Sequence, residues 1–437
     1  MGGERENRPL KIAILLDKFL PSRGGERYFS FLCVELTKRG HEVHLFATEA
    51  EAVTGLPYRI HKIPVWKYPR WLRALSLWRY GSGTLTRQGF DIVNAVAQCR
   101  AATVLNPHGG VEQAYLRQEF ASITNPAYYA YKRLLRYLSV RHYLEIGLQK
   151  RLYTAEAIFD AEREPGAASG PERTSCVRED PDTPRRQSYA RKSPGGVRRV
   201  IAISEMVKAD IISYYAYPAD RISVVFNTVD LDRFHPRMRE VYRAQKRAEL
   251  GVGADSILLL FAGNNFRLKG LETLLRALPL LTAQFPNRDF RLLVAGRGRP
   301  RRYRSLMKKL GISARVIFTG PLSPMEHYYA AADIYVHPTF YDSCSLTVLE
   351  ALAAGLPAVT TRFNGAAQVI ASQEGGMVIN DPADAAELAA AVALYADPEK
   401  RAAARIVARA WMEQYPPVRN VEETLQAYHR ALTHEEG

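Results

Sequence analysis

Two carboxylates, Asp342 and Glu350, stand eight residues apart around the small polar run Ser343-Cys344-Ser345. Beyond that run Leu346, Leu349, Ala353 and Leu356 recur at helical spacing, so one face of a helix packs on a sheet. The polar run therefore meets a helix N-terminus, where unpaired N–H groups and the helix dipole attract an anion. On this reading the N–H groups from Ser343 to Leu346 face a phosphate, and the two carboxylates grip hydroxyl-rich parts of a nucleotide sugar. A plainer reading has Asp342 capping the helix and Glu350 in solvent. Spacing leaves both open. Earlier in the chain Arg267 and Lys269 precede Gly270, which opens another helix. Two cations there suit a pyrophosphate, and a solvated lysine beside a turn is the alternative.

The elements that must hold these groups are legible as alternating strands and helices. Ile334 to His337 is a short apolar run that Pro338 ends, as a buried strand requires. With Ile257–Gly263, Arg291–Gly296 and Val316–Gly320 it alternates with helices, which predicts a doubly wound sheet. A similar unit opens the chain: strand Ile12–Leu16, a turn with Gly24 and Gly25, a helix through Lys38 and strand Val43–Ala47. The turn lacks G-x-G-x-x-G, so a nicotinamide cofactor is not expected. Gly24 and Gly25 let the backbone approach a ligand closely, or simply make the turn. Strand Thr103–Asn106 runs into Pro107–Gly110 and sets His108 beyond a carboxyl end, where ligands sit in open α/β sheets. An isolated loop histidine is more often a plain surface residue.

The predicted fold is α/β with two doubly wound Rossmann-like domains, 9–221 and 222–414, facing across a cleft. A final helix, 415–437, crosses back to the first domain. Residues 161–196 are rich in Gly, Pro and Arg and read as a disordered insertion. The 437 residues suffice for two cores, and 60 Lys and Arg against 45 Asp and Glu give a net charge of +15. That excess favours an anionic partner; without a nucleic-acid-binding motif, nucleic acid is not expected. The four cysteines lack metal-ligand spacing, no apolar run is long enough to span a bilayer, and a cytoplasmic location is expected. Between 115 and 158 tyrosines interleave with arginines, which suits either a membrane interface or a helical hairpin with half-buried rings.

The segment from Asp333 to Thr361 resembles the E-x7-E signature of retaining GT-B glycosyltransferases of the large family four. Asp342 stands where the first Glu is usual, and Ser343 and Ser345 where many members carry Gly. Leu258 to Gly270 and the hinge-like Asn227-Thr228-Val229-Asp230 add to the likeness, which covers most of the chain outside 161–196. Within the family it runs to lipopolysaccharide-core heptose glucosyltransferases. The resemblance implies that Gly24, Gly25, Arg267, Lys269, Ser343, Cys344, Ser345, Leu346 and Glu350 bind the donor. It sets His108 and Asp342 against the transferred sugar, Lys269 on the diphosphate and Glu350 on the ribose. Asp230-x-Asp232 falls in the hinge, so no metal is expected from it. The implied reaction is a retaining, metal-independent transfer of a hexose, glucose in the nearest likeness, from a UDP-linked donor serving as co-substrate. The implied acceptor is a lipid-linked or cell-envelope glycan such as lipopolysaccharide core, met at the cytoplasmic face of the inner membrane. A nucleotide-sugar epimerase or glycan phosphorylase on the same scaffold is a rival. A catalytically silent, membrane-associated binding protein is another, motivated by the substitutions at Asp342, Ser343, Ser345, Thr228 and Asn264.

Overall fold

The computed structural model describes residues 8–20, 24–51, 55–66, 70–80, 85, 87–154, 197–370 and 372–433, so the expected insertion at 161–196 lies outside the described residues. Strands β1 (Lys11–Phe19), β2 (Glu42–Ala50), β3 (Arg59–Lys62), β4 (Ile92–Ala95), β5 (Val104–Leu105), β6 (Arg199–Ala202) and β7 (Ile222–Val224) form one parallel sheet. Its order is β3-β2-β1-β4-β5-β6-β7. Strands β8 (Ile257–Ala262), β9 (Phe290–Ala295), β10 (Val316–Gly320), β11 (Ile334–His337), β12 (Ala358–Thr361) and β13 (Gly376–Ile379) form a second, ordered β10-β9-β8-β11-β12-β13. The central strands β4, β8 and β11 are buried along their whole length, as parallel strands covered by helices on both faces must be.

Strand order reverses between β1 and β4 in the first sheet and between β8 and β11 in the second. A crevice opens at each reversal, outside the carboxyl ends of the strands. The loop after β8 carries Arg267 and Lys269, and the loop after β11 carries Asp342 to Ser345, so one crevice receives both. Gly270 makes that meeting possible. It holds φ +76°, and a Cβ there would collide with the carbonyl oxygen of Pro338, just past β11.

The domain boundary expected at 222 is corrected: β7 pairs with β6, so the chain leaves the first sheet after Val224. The pairing satisfies the backbone groups of an edge strand that the local sequence alone could not assign to either sheet. The last helix, Pro417–Thr433, lies on the first domain and buries Val421, Ala427, Tyr428 and Ala431 in its core. Tyr428 Oη accepts from Asn94 Nδ2 at 2.7 Å, and Tyr28 Oη donates to Asn420 Oδ1 at 2.9 Å. An amphipathic helix needs a core to cover its apolar stripe, and here the first domain supplies one.

Candidate active site

The site is built on the Leu346–Ala353 helix. Its N-cap is Ser345, whose side chain makes no capping bond. Ser345 N–H donates to Asn364 Oδ1 at 3.1 Å, so this amide, expected to face a phosphate, is already taken. The N–H groups of Leu346 and Thr347 open the helix without an intrahelical acceptor, which leaves them for an anion. Ser343 and Cys344 depart from the expected donor-facing role as well. Ser343 Oγ donates to the His108 carbonyl at 2.7 Å, and the buried Cys344 offers its carbonyl to Asn227 Nδ2 at 3.5 Å. Burial pushes the Cys344 thiol far up, so it stays a packing group.

Asp342 does not cap the helix. Its Oδ2 accepts from Lys269 Nζ at 2.6 Å, and His337 Nε2 lies 3.3 Å from the same oxygen. Burial alone would raise the Asp342 carboxyl, yet the Lys269 ammonium and the His337 hydrogen bond hold it well below the usual carboxylate range. Burial lowers His337, so the neutral imidazole is the resting form near pH 7. Lys269 Nζ also donates to the Tyr341 carbonyl at 3.2 Å. A carboxylate and an ammonium thus stand in direct contact in front of the Leu346–Ala353 helix.

Glu350 does not stand in free solvent either. It accepts from Tyr329 Oη at 2.8 Å, beside the Arg233–Glu326 ion pair at 2.7 Å. Burial pushes its carboxyl up to about 7, against the lowering pull of Tyr329, Arg233 and Arg27. The folded state therefore binds this proton more tightly than the unfolded chain. The stability it contributes is fully present below the ordinary glutamate range, about 4.3, and is lost as pH rises through about 7. Glu350→Gln is expected to match wild type at pH 4.5 and to melt about 2 °C or more higher at pH 8. A thermal-midpoint difference that stays flat across this pH range would remove the argument.

The two cations expected to act together are separated. Arg267 Nη2 is held by Glu119 Oε1 at 3.2 Å, and its guanidinium lies 5.5 Å from the Tyr128 ring centre. Glu119 and Tyr128 both belong to the first domain, so Arg267 bridges the cleft instead of joining Lys269. His108 comes to the cleft from the other side, with its ring against Tyr28 at 5.1 Å and Phe29 at 4.8 Å. Its Nε2 has no hydrogen-bond partner among the described residues, and burial pushes the ring down to about 4. A neutral imidazole with a free nitrogen is suited to a sugar hydroxyl. Gly24 and Gly25 form the start of the Gly24–Lys38 helix, not a turn before it.

Three contributors escaped the sequence reading: His337, Tyr329 and Arg233. His337 carried a signal, being a histidine at the carboxyl end of a predicted central strand. Tyr329 and Arg233 had none, because their role comes from packing against Glu350. The isolated Asp230-x-Asp232 is a local turn: Asp230 Oδ1 accepts from the N–H groups of Asp232 at 3.1 Å and Arg233 at 2.9 Å.

Two facing parallel α/β domains, with a cation–carboxylate pair at a helix mouth in the cleft, define the class, and comparison with known proteins agrees. Glycosyltransferase Family 4 matches residues 22–154 and 174–233, and Glycosyl transferases group 1 matches residues 256–397. The chain belongs to the GT-B glycosyltransferases. Among particular relatives, it is 32% identical over 264 residues to D-inositol 3-phosphate glycosyltransferase of Arthrobacter sp. strain FB24, covering 58% of this chain and 61% of that one. It is 30% identical over 192 residues to the lipopolysaccharide glucosyltransferase WaaG of Escherichia coli K12, covering 43% and 50%. The chain thus spans between half and about three-fifths of the length of these two relatives. A crystal structure of WaaG superposes with TM-score 0.71 at 20% identity, covering 97% of this chain and all of that one. Anabaena HepE in complex with UDP and glucose gives 0.64 at 15% identity, covering 95% and 98%.

Proposed function

We propose that this glycosyltransferase moves a hexose, glucose in the reading favoured here, from a UDP-linked donor to a lipid-linked glycan with retention at the anomeric carbon. The observation that carries the reading is the 2.6 Å Lys269–Asp342 contact in front of the uncapped Leu346–Ala353 helix. A nucleotide diphosphate leaves with growing negative charge, and a fixed ammonium and helix N–H groups aimed at it lower the barrier. Lys269 and the helix mouth would take the diphosphate, Asp342 and His108 the sugar, and Glu350 the ribose hydroxyls. In this reading the fixed ammonium and the helix N–H groups supply the charge stabilisation without a metal ion, and an EDTA arm tests that point. HepE, which shares the fold, is described with UDP and with UDP-glucose, which supports this donor class.

The choice of a lipid-linked acceptor over a soluble phosphorylated polyol rests on the Pro126–Tyr137 helix. It has no buried residue, and with the turn after it exposes Tyr131, Leu134, Tyr137 and Leu138 beside Arg133. Rings and apolar groups next to cations fit the headgroup layer of an anionic bilayer. No helix among the described residues is long and apolar enough to cross a membrane, so contact would be peripheral. This reading places the enzyme at the cytoplasmic face of the inner membrane.

The test incubates the purified chain with UDP-, GDP- and ADP-sugars, with and without a bacterial glycolipid extract or inositol phosphate, and measures released nucleotide. Release from UDP-glucose that requires the glycolipid, survives EDTA and yields the retained anomer is expected. Release without any acceptor, with an epimerised sugar, would favour the epimerase. Nucleotide binding without turnover would favour the silent protein.

A further inference from the structure

Asp342 is flanked by two residues that leave its domain. Asp342 is bridged to Asn364 through its backbone, and its side chain and those of its two neighbours go to different domains. Asp342 turns to Lys269 and His337 in the second domain. Tyr341 and Ser343 turn to the first. Tyr341 is buried there: its Oη donates to Asp210 Oδ2 at 3.2 Å and accepts from Val111 N–H at 3.3 Å. Its ring meets Tyr115 edge-on, with centres 6.0 Å apart. Gly110, at φ +80°, leaves room for the hydroxyl, since a Cβ there would collide with it. Ser343 Oγ holds the His108 carbonyl at 2.7 Å, two residues before Gly110, and Ser204 Oγ holds the Ser343 carbonyl at 2.8 Å. The loop that carries His108 and the loop that carries Asp342 are thus clamped together by Tyr341 and Ser343, whose hydroxyls are taken up in contacts with the first domain.

We propose that Tyr341 is a positioning residue for sugar transfer: seated between Val111 N–H and the Asp210 carboxylate of the opposite domain, it registers Asp342 against His108. The proposal rests on the reading above, in which those two groups meet the transferred sugar. It separates two functions of one loop. Lys269 and the helix mouth belong to the second domain and would hold the nucleotide without the Tyr341 side chain, since Lys269 Nζ meets only the Tyr341 backbone carbonyl. The reacting geometry needs both domains in register, and a misplacement of about 1 Å costs on the order of 100-fold in rate.

The experiment compares wild type with Tyr341→Phe, which keeps the ring and loses both hydrogen bonds, and with Asp210→Asn and Asp210→Leu. Tyr341→Phe and Asp210→Leu are expected to lower kcat for transfer by about 10–100-fold, with UDP affinity within about threefold of wild type. Asp210→Asn keeps an oxygen acceptor for Tyr341 Oη and is expected to stay within about threefold in kcat. Hydrogen exchange of the Val111 amide, measured with UDP bound, should accelerate at least about tenfold in Tyr341→Phe, independently of turnover. Unchanged kcat in Tyr341→Phe would overturn the proposal, as would a parallel loss of kcat and UDP affinity, the mark of a merely structural contact. If wild type transfers no sugar, the functional reading fails on its own. The exchange measurement then still decides whether Tyr341 holds the loops: an unchanged Val111 rate rejects that, and acceleration supports it.

Discussion

Lys269→Ala is expected to lower kcat/KM for sugar transfer by about 100- to 1,000-fold, the range seen when one preorganised charge-stabilising donor is removed. Two effects add. On the proposed function the leaving diphosphate loses the ammonium aimed at it, and in any case Asp342 loses its 2.6 Å partner. The carboxyl that burial would raise is then held down by His337 alone, so its pKa rises and the acid limb of the pH–rate profile moves to higher pH. Lys269→Arg keeps the charge but not the geometry, because a planar fork cannot occupy the point position of an ammonium, and a smaller loss is expected. Steady-state kinetics from pH 5 to 9, with UDP affinity measured in parallel, check the prediction. Activity within about tenfold of wild type in Lys269→Ala, with an unmoved acid limb, would refute the pairing of phosphate and sugar recognition at this contact.

The second large effect concerns stability, away from the cleft. Asp333, 1% exposed at the entry to β11, is the shared counter-ion of Arg243 at 2.8 Å, Arg247 at 3.0 Å and Arg239 at 3.4 Å. Its Oδ2 also accepts the Leu258 N–H of β8 at 2.9 Å, which ties the Met238–Glu249 helix to the two central strands. The surplus positive charge is met by carbonyls at the end of the Glu326–Ala331 helix: Ala331 accepts from Arg243 at 2.9 Å and from Arg247 at 3.0 Å. Asp333→Ala leaves a buried guanidinium without its carboxylate, and removing one partner of a buried pair costs about 3–5 kcal/mol. Denaturant unfolding, with the second domain followed separately because two domains need not unfold as one, is the measurement. A loss below about 1 kcal/mol would show that the carbonyls alone suffice for these arginines.

Much of the site was legible because its chemistry sits beside strong local signals. Lys269 precedes the glycine that opens a helix, and Asp342 and Glu350 bracket another helix start. Each was recognisable by charge type and by distance from an apolar period. What those groups bond to was not legible. Lys269 and Asp342 lie 73 residues apart and meet because β8 and β11 are neighbours across the reversal of strand order. Arg267 was paired with Lys269 by proximity in sequence, yet the fold gives it to Glu119, 148 residues away. The amide of Ser345 was counted as open, and Asn364 fills it from the turn after β12. Nothing local announces an asparagine that reaches back across a loop.

The amino-acid sequence by itself determined the α/β class and the two Rossmann-like sheets, and it marked the charged groups at helix starts, since strand and helix periods, glycine turns and helix-mouth cations are properties of short segments. Only the tertiary structure decided which side of the cleft each group serves. It set Glu350 beside Tyr329 and Arg233, where burial raises its carboxyl, and Asp342 beside Lys269, where the ammonium lowers another. It carried β7 into the first sheet and sent Tyr341 and Ser343 into the opposite domain. The reason is physical. A propensity is summed over neighbours in the chain, whereas the environment of a charge depends on which loops from distant strands come together and on what they exclude from water.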